Sequence, residues 1–458
     1  MPFVSTNPTN NQVAQSYANS DIAHLGEILE KAHRTQQTWA QTAFAQRAEI
    51  LRNVAARLHA QRDRYACLIT QEMGKPLREA RAEIEKCAGV CDYYAQHGEE
   101  FMRSEPIASD AEKSYVAYHP LGVVLAIMPW NFPFWQVFRA AAPALMAGNA
   151  LLLKHAPNVP QCALSIEAIF RECGLPEGMF ANLMIEVGQV AEVIASSHVH
   201  AVTLTGSEAA GRKVAACAGQ HLKKCVLELG GSDPFIVLHD ADMEHTVNMA
   251  VASRFLNCGQ SCIAAKRFIV VPQIADEFLF QLKARVEALK LGDPMEDDTQ
   301  IGPMARLDLR DELHRQVSDS IARGAVAVTG CEAADRAGFF YQPSILDRVT
   351  ASMRAYREEL FGPVAAVIRA ANEEDALRIA NETRFGLGSS IWSKDSARAE
   401  QLAARIHAGC TFINGMVKSD PRLPFGGVKA SGYGRELSKL GMHEFVNAKT
   451  VWIKSLLQ

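Results

Sequence analysis

The chain has 458 residues, 48% hydrophobic and 21% charged, the balance of a folded protein with room for two or three domains rather than of a disordered one. Its formal net charge of -4, with the basic residues scattered, leaves no electrostatic footprint for nucleic acid or an anionic membrane surface. The 11 cysteines, an odd number without framework spacing, point to free thiols in a reducing compartment.

Residues 1 to about 104 read as mostly helical. Ile50, Leu51, Val54 and Leu58 recur at helical spacing, and Gly74-Lys75-Pro76 punctuates before a long helix reaching about Met102. Cys87 and Cys91 lie four apart on it without a histidine pair, and read as core-facing rather than metal-binding. No basic segment followed by an apolar run stands at the N-terminus, so a cytoplasmic protein is expected. Residues 114–119 read as a strand and 123–128 as a short buried strand. The most apolar region, 121–138, is broken by Pro129, Asn131 and Pro133, and a membrane span needs about 20 largely uninterrupted apolar residues.

The segment Pro129-Trp130-Asn131-Phe132-Pro133 is a rigid corner, on which the amide of Asn131 is a stationary hydrogen-bond donor. A helix is expected at 139–148 and a buried strand at 150–154, ending in Lys154. Helices at 161–172 and 190–196 then alternate with strands at 181–185 and 200–205. This alternation predicts a parallel, doubly wound sheet. Gly206-Ser207 follows the last of these strands and opens a helix, which makes a weak candidate for an anion site at a helix N-terminus.

The stretch 226–262 carries the chemistry. Glu228 precedes Gly230-Gly231, and Cys262 follows Gly259-Gln260-Ser261, with a helix at about 243–256 between them, for which Asp240 and Asp242 are candidate caps. An acid and a thiol on glycine turns are a candidate base and nucleophile, although a lone cysteine is more often a small buried hydrophobe. No histidine is placed by any motif to pair with Cys262, which argues against a cysteine protease. Further on, strands are expected at 264–271, 325–328, 364–368, 386–392 and 448–454, and helices at 274–289, 308–323 and after the cap Asn372. Glycine-rich loops at 424–427 and 431–432 are of the kind that approach a site closely.

Seven stretches together resemble the NAD(P)-dependent aldehyde dehydrogenase superfamily over essentially the whole chain. They are PWNFP at 129–133, Lys154 after ALLL, TGSEAAG at 205–211, ELGG at 228–231, GQSC at 259–262, ELFGP at 359–363 and PFGGVKASG at 424–432. The resemblance implies an α/β fold of two doubly wound, Rossmann-like lobes plus a small oligomerisation sheet. Residues 1–105 and 121–227 would form the cofactor-binding domain, 228–430 the catalytic domain, and 106–120 with 442–458 the bridging segments of a homodimer or homotetramer. Cys262 would attack the aldehyde, with Asn131 and the Cys262 N–H holding the oxyanion. A hydride would pass to the nicotinamide, and Glu228 would activate the water that hydrolyses the thioester. Lys154 and Glu359 would hold the two riboses, Gly206 and Ser207 the pyrophosphate, and Trp130 and Phe361 would line the cofactor cleft.

Two features bear on specificity. Three residues after Lys154, where NAD-preferring relatives often carry a glutamate, stands Pro157, so that either NAD or NADP is expected to serve. The wording SDPRLPFGG at 419–427 is similar to that of the shorter bacterial succinic-semialdehyde dehydrogenases. Arg139, eight residues after Asn131, and Ser419 would hold the distal carboxylate of succinic semialdehyde, with Lys418, Asp420 and Arg422 nearby. The alternative for Arg139 is a surface or interdomain salt bridge, and the alternative substrates are neutral aldehydes. A catalytically silent homologue is the remaining alternative. Cys258, four residues before Cys262, either packs in the core or forms a reversible disulfide.

Overall fold

Two mostly parallel sheets organise the chain in the computed structural model, which describes residues 3–19 and 22–455. The first runs in the order Gly432–Tyr433, Lys224–Glu228, Ala201–Thr205, Val123–Met128, Ala150–His155, Phe180–Asn182. All its pairings are parallel except that of Gly432–Tyr433. The chain enters at Val123–Met128, builds outward to one side and returns to build the other. The order therefore reverses between Val123–Met128 and Ala201–Thr205, and the crevice beyond the carboxyl ends of these strands is where such sheets take ligands. Asn131 follows one of the two strands and Gly206 the other. Val123, Val124, Leu125, Ala126 and Leu151 to Leu153 are fully buried, as befits strands covered on both faces.

The second sheet has seven strands, with Asp233–Val237, Ala265–Val270 and Val364–Arg369 at its centre. It meets the crevice with the opposite ends of its strands. Gly230-Gly231, Cys262 and Glu359 all lie in the connections that enter these three strands. One sheet thus brings strand exits to the site and the other brings strand entries. Each has its own hydrophobic core, the first including Leu125, Phe138 and Leu152, the second Phe235, Phe268 and Val367.

A third sheet pairs Val446–Ile453 antiparallel with Lys113–Pro120, which also pairs with Glu105–Pro106. Val446–Ile453 is an outer strand, with Trp452 and Ile453 exposed. Residues 442–443, expected to belong to this segment, still lie in the helix Ser438–His443. The expected segments also include residues 1–2, 20–21 and 456–458, which lie outside the described residues.

The mostly helical reading of the first hundred residues needs one correction. Four helices are there, ending with Leu77–Phe101, but Phe3–Asn7 and Gln12–Tyr17 precede them as a hairpin. Its turn is built by asparagines: Asn7 Oδ1 accepts from Thr9 N, Asn10 Oδ1 from Gln12 N, and Asn11 takes φ 59°. Its second strand is exposed and mostly polar, so no apolar alternation announced it. The strand Ser344–Asp347 and the helix Ser396–Ala403 were likewise not expected, and the strand assigned to 386–392 begins only at Ser390. No helix among the described residues is long and apolar enough to cross a membrane.

Candidate active site

The Cys262 loop is held from three directions. Asn257, Cys258 and Gly259 take φ of 54°, 54° and 69°, three successive left-handed residues that turn the chain sharply out of the helix Met243–Phe255. A Cβ on Gly259 would stand 2.3 Å from the carbonyl oxygen of Gly362, so the turn requires glycine there. The fully buried Arg254 donates to the carbonyls of Ala265, Gly259, Leu360 and Gly362, tying the loop to the segment that carries Phe361. Glu79, on the helix Leu77–Phe101, accepts from Asn257 N at 2.7 Å. Of the two candidate caps, Asp242 caps the helix through His245 N, whereas Asp240 binds Ser393 and Arg398.

The same loop is joined to the corner bearing Asn131. Asn257 Nδ2 donates to the Asn131 carbonyl at 2.8 Å, and Asn131 Nδ2 donates to the Gln260 carbonyl at 3.1 Å. One of the two amide hydrogens of Asn131 is thereby used, leaving the other for an oxygen bound beside Cys262. Asn131 and Cys262 line one cleft of about 250 Å³ with Trp130, Gly206, Ser207, Gly230, Glu359 and Phe361. Trp130 and Phe361 meet edge to face, 5.8 Å between centroids.

Glu228 ends its strand just behind this lining, and is 2% exposed. Neither carboxylate oxygen has a hydrogen-bond partner of good geometry among the described residues. The glycine loop crowds it: a Cβ on Gly426 would stand 2.7 Å from Glu228 Oε1. Burial, then repulsion from Glu436, pushes its carboxyl well above the usual range, against Arg139 and Arg435. Burial also pushes the Cys262 thiol up to about 12, with Lys266 and Arg139 opposing it and Glu359 and Glu228 adding to it. The resting thiol is protonated and needs a base. A carboxylate with a raised pKa is a stronger base than an ordinary one.

The cofactor-side expectations fall in two places. Ser207 caps the helix Glu208–Gln220 through Ala210 N, and Gly211 lets that helix pack on Leu229, whose side chain a Cβ would meet at 2.6 Å. Glu359 Oε1 accepts from Gly231 N at 3.0 Å and pairs with Lys266 Nζ at 3.2 Å. Lys154 lies apart from these, in a cavity of about 490 Å³ lined also by Phe3, Pro157, Asn158, Val187 and Arg306. Its ammonium donates to the His155 carbonyl, has no carboxylate in ion-pairing reach among the described residues, and is pushed down to about 8 by burial. The amide nitrogen and oxygen of Asn158 are both buried without partners there. Two cations, Lys154 and Arg306, and an unsatisfied amide beside apolar walls suit a phosphorylated nucleoside, with Glu186 the one carboxylate of the described lining.

Arg139 does not stand free at a pocket mouth. It is 2% exposed, pairs with the buried Glu436, and donates to Thr205 Oγ1 at 3.2 Å, so its charge is already answered within the protein. Ser419 Oγ accepts instead from Lys86 Nζ at 2.7 Å, and exposed Arg422 pairs with its neighbour Asp420. Cys258 is buried in the second core, its thiol pushed up by burial. Sequence reading missed Lys266, which donates to the Ser261 and Cys262 carbonyls. It also missed Glu436 and Lys86. Lys266 sits four residues past the thiol, a spacing that could have drawn attention; Glu436 and Lys86 carry no sequence signal. Among the described residues no group of three His, Cys, Asp or Glu side chains is placed to hold a metal ion.

A doubly wound sheet whose switch point faces a thiol and an amide, with a buried acid behind them, has the make-up of an α/β enzyme with a dinucleotide-type crevice. Residues 2–451 match the model of the aldehyde dehydrogenase family, and the chain belongs to that family. It is 50% identical to the probable succinate-semialdehyde dehydrogenase [NADP(+)] of Synechocystis sp., over 99% of this chain and 100% of that one. It is 48% identical to the succinate semialdehyde dehydrogenase [NAD(P)+] of Escherichia coli, over 98% and 97%. The crystal structure of succinic semialdehyde dehydrogenase from Streptococcus pyogenes in complex with NADP+ superposes with a TM-score of 0.97 at 39% identity, covering 99% of this chain and 100% of that one.

Proposed function

We propose that this protein oxidises succinic semialdehyde to succinate, with NADP or NAD as hydride acceptor. The observation that carries the reading is the joint presence of Cys262 and Asn131 in one cleft, backed by Glu228. The names of the relatives at 48–50% identity supply the substrate class. Glu228 takes the thiol proton, directly or through water, and the Cys262 sulfur adds to the aldehyde carbon. The free N–H of Asn131 and the backbone N–H of Cys262 hold the oxygen as it gains negative charge. The bound nicotinamide supplies the acceptor for the hydride. Glu228 gives up the thiol proton to solvent, then takes one from the water that cleaves the acyl–sulfur bond and passes it to the departing sulfur, which regenerates the thiol.

Lys154 and Glu359 hold the cofactor riboses, with Gly206 and Ser207 at the pyrophosphate and Trp130 and Phe361 along the ring. Pro157 at the Lys154 cavity puts no carboxylate three residues after the lysine, which supports use of both cofactors. The distal carboxylate lies on the side of Arg139 and Ser419. The outer strand Val446–Ile453, lying beside Lys113–Pro120, is the edge through which a homodimer or homotetramer forms. The free cysteines of the described residues support a reducing, cytoplasmic setting.

Initial rates with succinic semialdehyde and with butyraldehyde, each with NADP and NAD, test the reading. It expects NADPH and NADH formation, higher kcat/KM for the semialdehyde, and no turnover in Cys262→Ala. Turnover surviving in Cys262→Ala, or no turnover of any aldehyde, would overturn it.

A further inference from the structure

The helix Leu77–Phe101 carries a half-buried cation, Lys86, that no carboxylate of the described residues neutralises. Lys86 is half-buried, its ammonium 2.7 Å from Ser419 Oγ and 4.1 Å from the centroid of the Trp135 ring. The carboxylates around it are engaged elsewhere. Glu83 pairs with Lys75 and accepts from the backbone N–H groups of Phe134 and Trp135. Asp420 pairs with Arg422, and Glu436 with Arg139. No carboxylate oxygen of the described residues lies within 4.0 Å of Lys86 Nζ. A desolvated ammonium served by a hydroxyl and an aromatic face is short of an anion.

Its place in the fold puts that want on the substrate side. Trp135 opens the helix Trp135–Ala147, four residues after Asn131, and Glu83 fixes that helix start through the two backbone N–H groups. Arg139 lies one turn further along and acts electrostatically on both Lys86 and the Cys262 thiol. The neutralised Arg139–Glu436 pair and the Lys86–Ser419 contact thus both stand against the helix that leaves the Asn131 corner, Lys86 through Trp135 at its start and Arg139 one turn on.

Resting on the proposed substrate, we propose that Lys86 is the cation that receives the distal carboxylate of the semialdehyde, with Ser419 as its hydrogen-bonding companion and Trp135 as the wall beside it. Arg139, held by Glu436, then shapes and polarises the passage rather than forming the principal ion pair. Binding the carboxylate relieves the desolvation of Lys86, which a neutral aldehyde cannot do. Discrimination between acidic and neutral aldehydes is therefore concentrated at this residue.

The test compares wild type, Lys86→Met and Lys86→Arg on succinic semialdehyde and butyraldehyde at saturating NADP. Lys86→Met is expected to lower the ratio of kcat/KM values, acidic over neutral aldehyde, by about 10–100-fold. The loss should be carried by KM for the semialdehyde, and Lys86→Arg should restore most of it. An unchanged ratio in Lys86→Met, or an equal loss on both aldehydes, overturns the inference while leaving the proposed function standing. A wild type that prefers butyraldehyde overturns both. Because the readout is a ratio within one preparation, partial loss of folded protein does not alter it; Lys86→Gln, which keeps the polarity, serves if the methionine variant does not fold.

Discussion

Asn131 donates to Gln260 with one amide hydrogen, and the proposed function assigns the other to the reacting oxygen. Asn131→Ala is therefore expected to reduce kcat by about 10²–10³-fold with little change in KM for the aldehyde. Steady-state kinetics check this, and an equal loss in KM would show that the amide binds the ground state instead. Both Glu228 and Cys262 have their proton-binding raised by burial. Deprotonation of the thiol, pushed up to about 12, is thus incomplete at neutral pH and grows as pH rises, and the raised Glu228 carboxyl acts in the same direction, so kcat/KM should climb with pH rather than peak near 7. Glu228→Gln should flatten that climb and lower the steady-state rate by about 10²–10⁴-fold. A pH-independent wild-type profile would contradict the assignment of Glu228 as base.

Glu228 also bears on stability, with the opposite sign. Its folded pKa is raised above its unfolded value, so the native state holds a proton that the unfolded chain releases. Stability from this group is complete below the unfolded carboxyl pKa and declines as pH rises through the folded one. Glu228→Gln removes that decline and should raise Tm by about 1–3 °C at pH 8 while abolishing most activity. Thermal melts at pH 5 and pH 8 read the difference, which should be smaller at pH 5.

Among the elements, the 257–262 loop stores the most constraint. Three left-handed residues in succession persist because Arg254 satisfies four carbonyls around them and Glu79 takes the Asn257 N–H. Gly259→Ala meets both the positive φ and a carbonyl oxygen at 2.3 Å, and is expected to cost about 2–4 kcal/mol in denaturant unfolding. The helix Leu77–Phe101 contributes Glu79 to the thiol loop, Glu83 to the start of the helix after the Asn131 corner, and Lys86 to Ser419. Its amphipathic spacing announced a helix, but nothing in the spacing told which polar residues would be buried against the site.

On the scale of the whole molecule, the outer strand Val446–Ile453 leaves a row of backbone groups and two exposed apolar side chains, Trp452 and Ile453. Replacing both by lysine should convert the proposed oligomer to monomers in light scattering; an unchanged mass would place the interface elsewhere. Strand–helix alternation, the glycine turns and the order of the seven motifs were legible because each depends on residues close in the chain. Asn131, Glu228 and Cys262 stood out as candidates for the same reason, since each sits beside a proline or glycine signal that fixes local backbone. The N-terminal hairpin was not, because its turn chemistry is side-chain to backbone and its strands lack an apolar alternation. Arg139 was legible as a charge on a helix, yet its partner Glu436 is 297 residues away (436 − 139 = 297), and only the late return of the chain to the edge of the first sheet joins them. The sequence by itself determined which candidate groups stand on turns of fixed backbone; the tertiary structure decided which charges are answered by a partner, because neutralisation depends on distance in space and on the water excluded when the elements pack together.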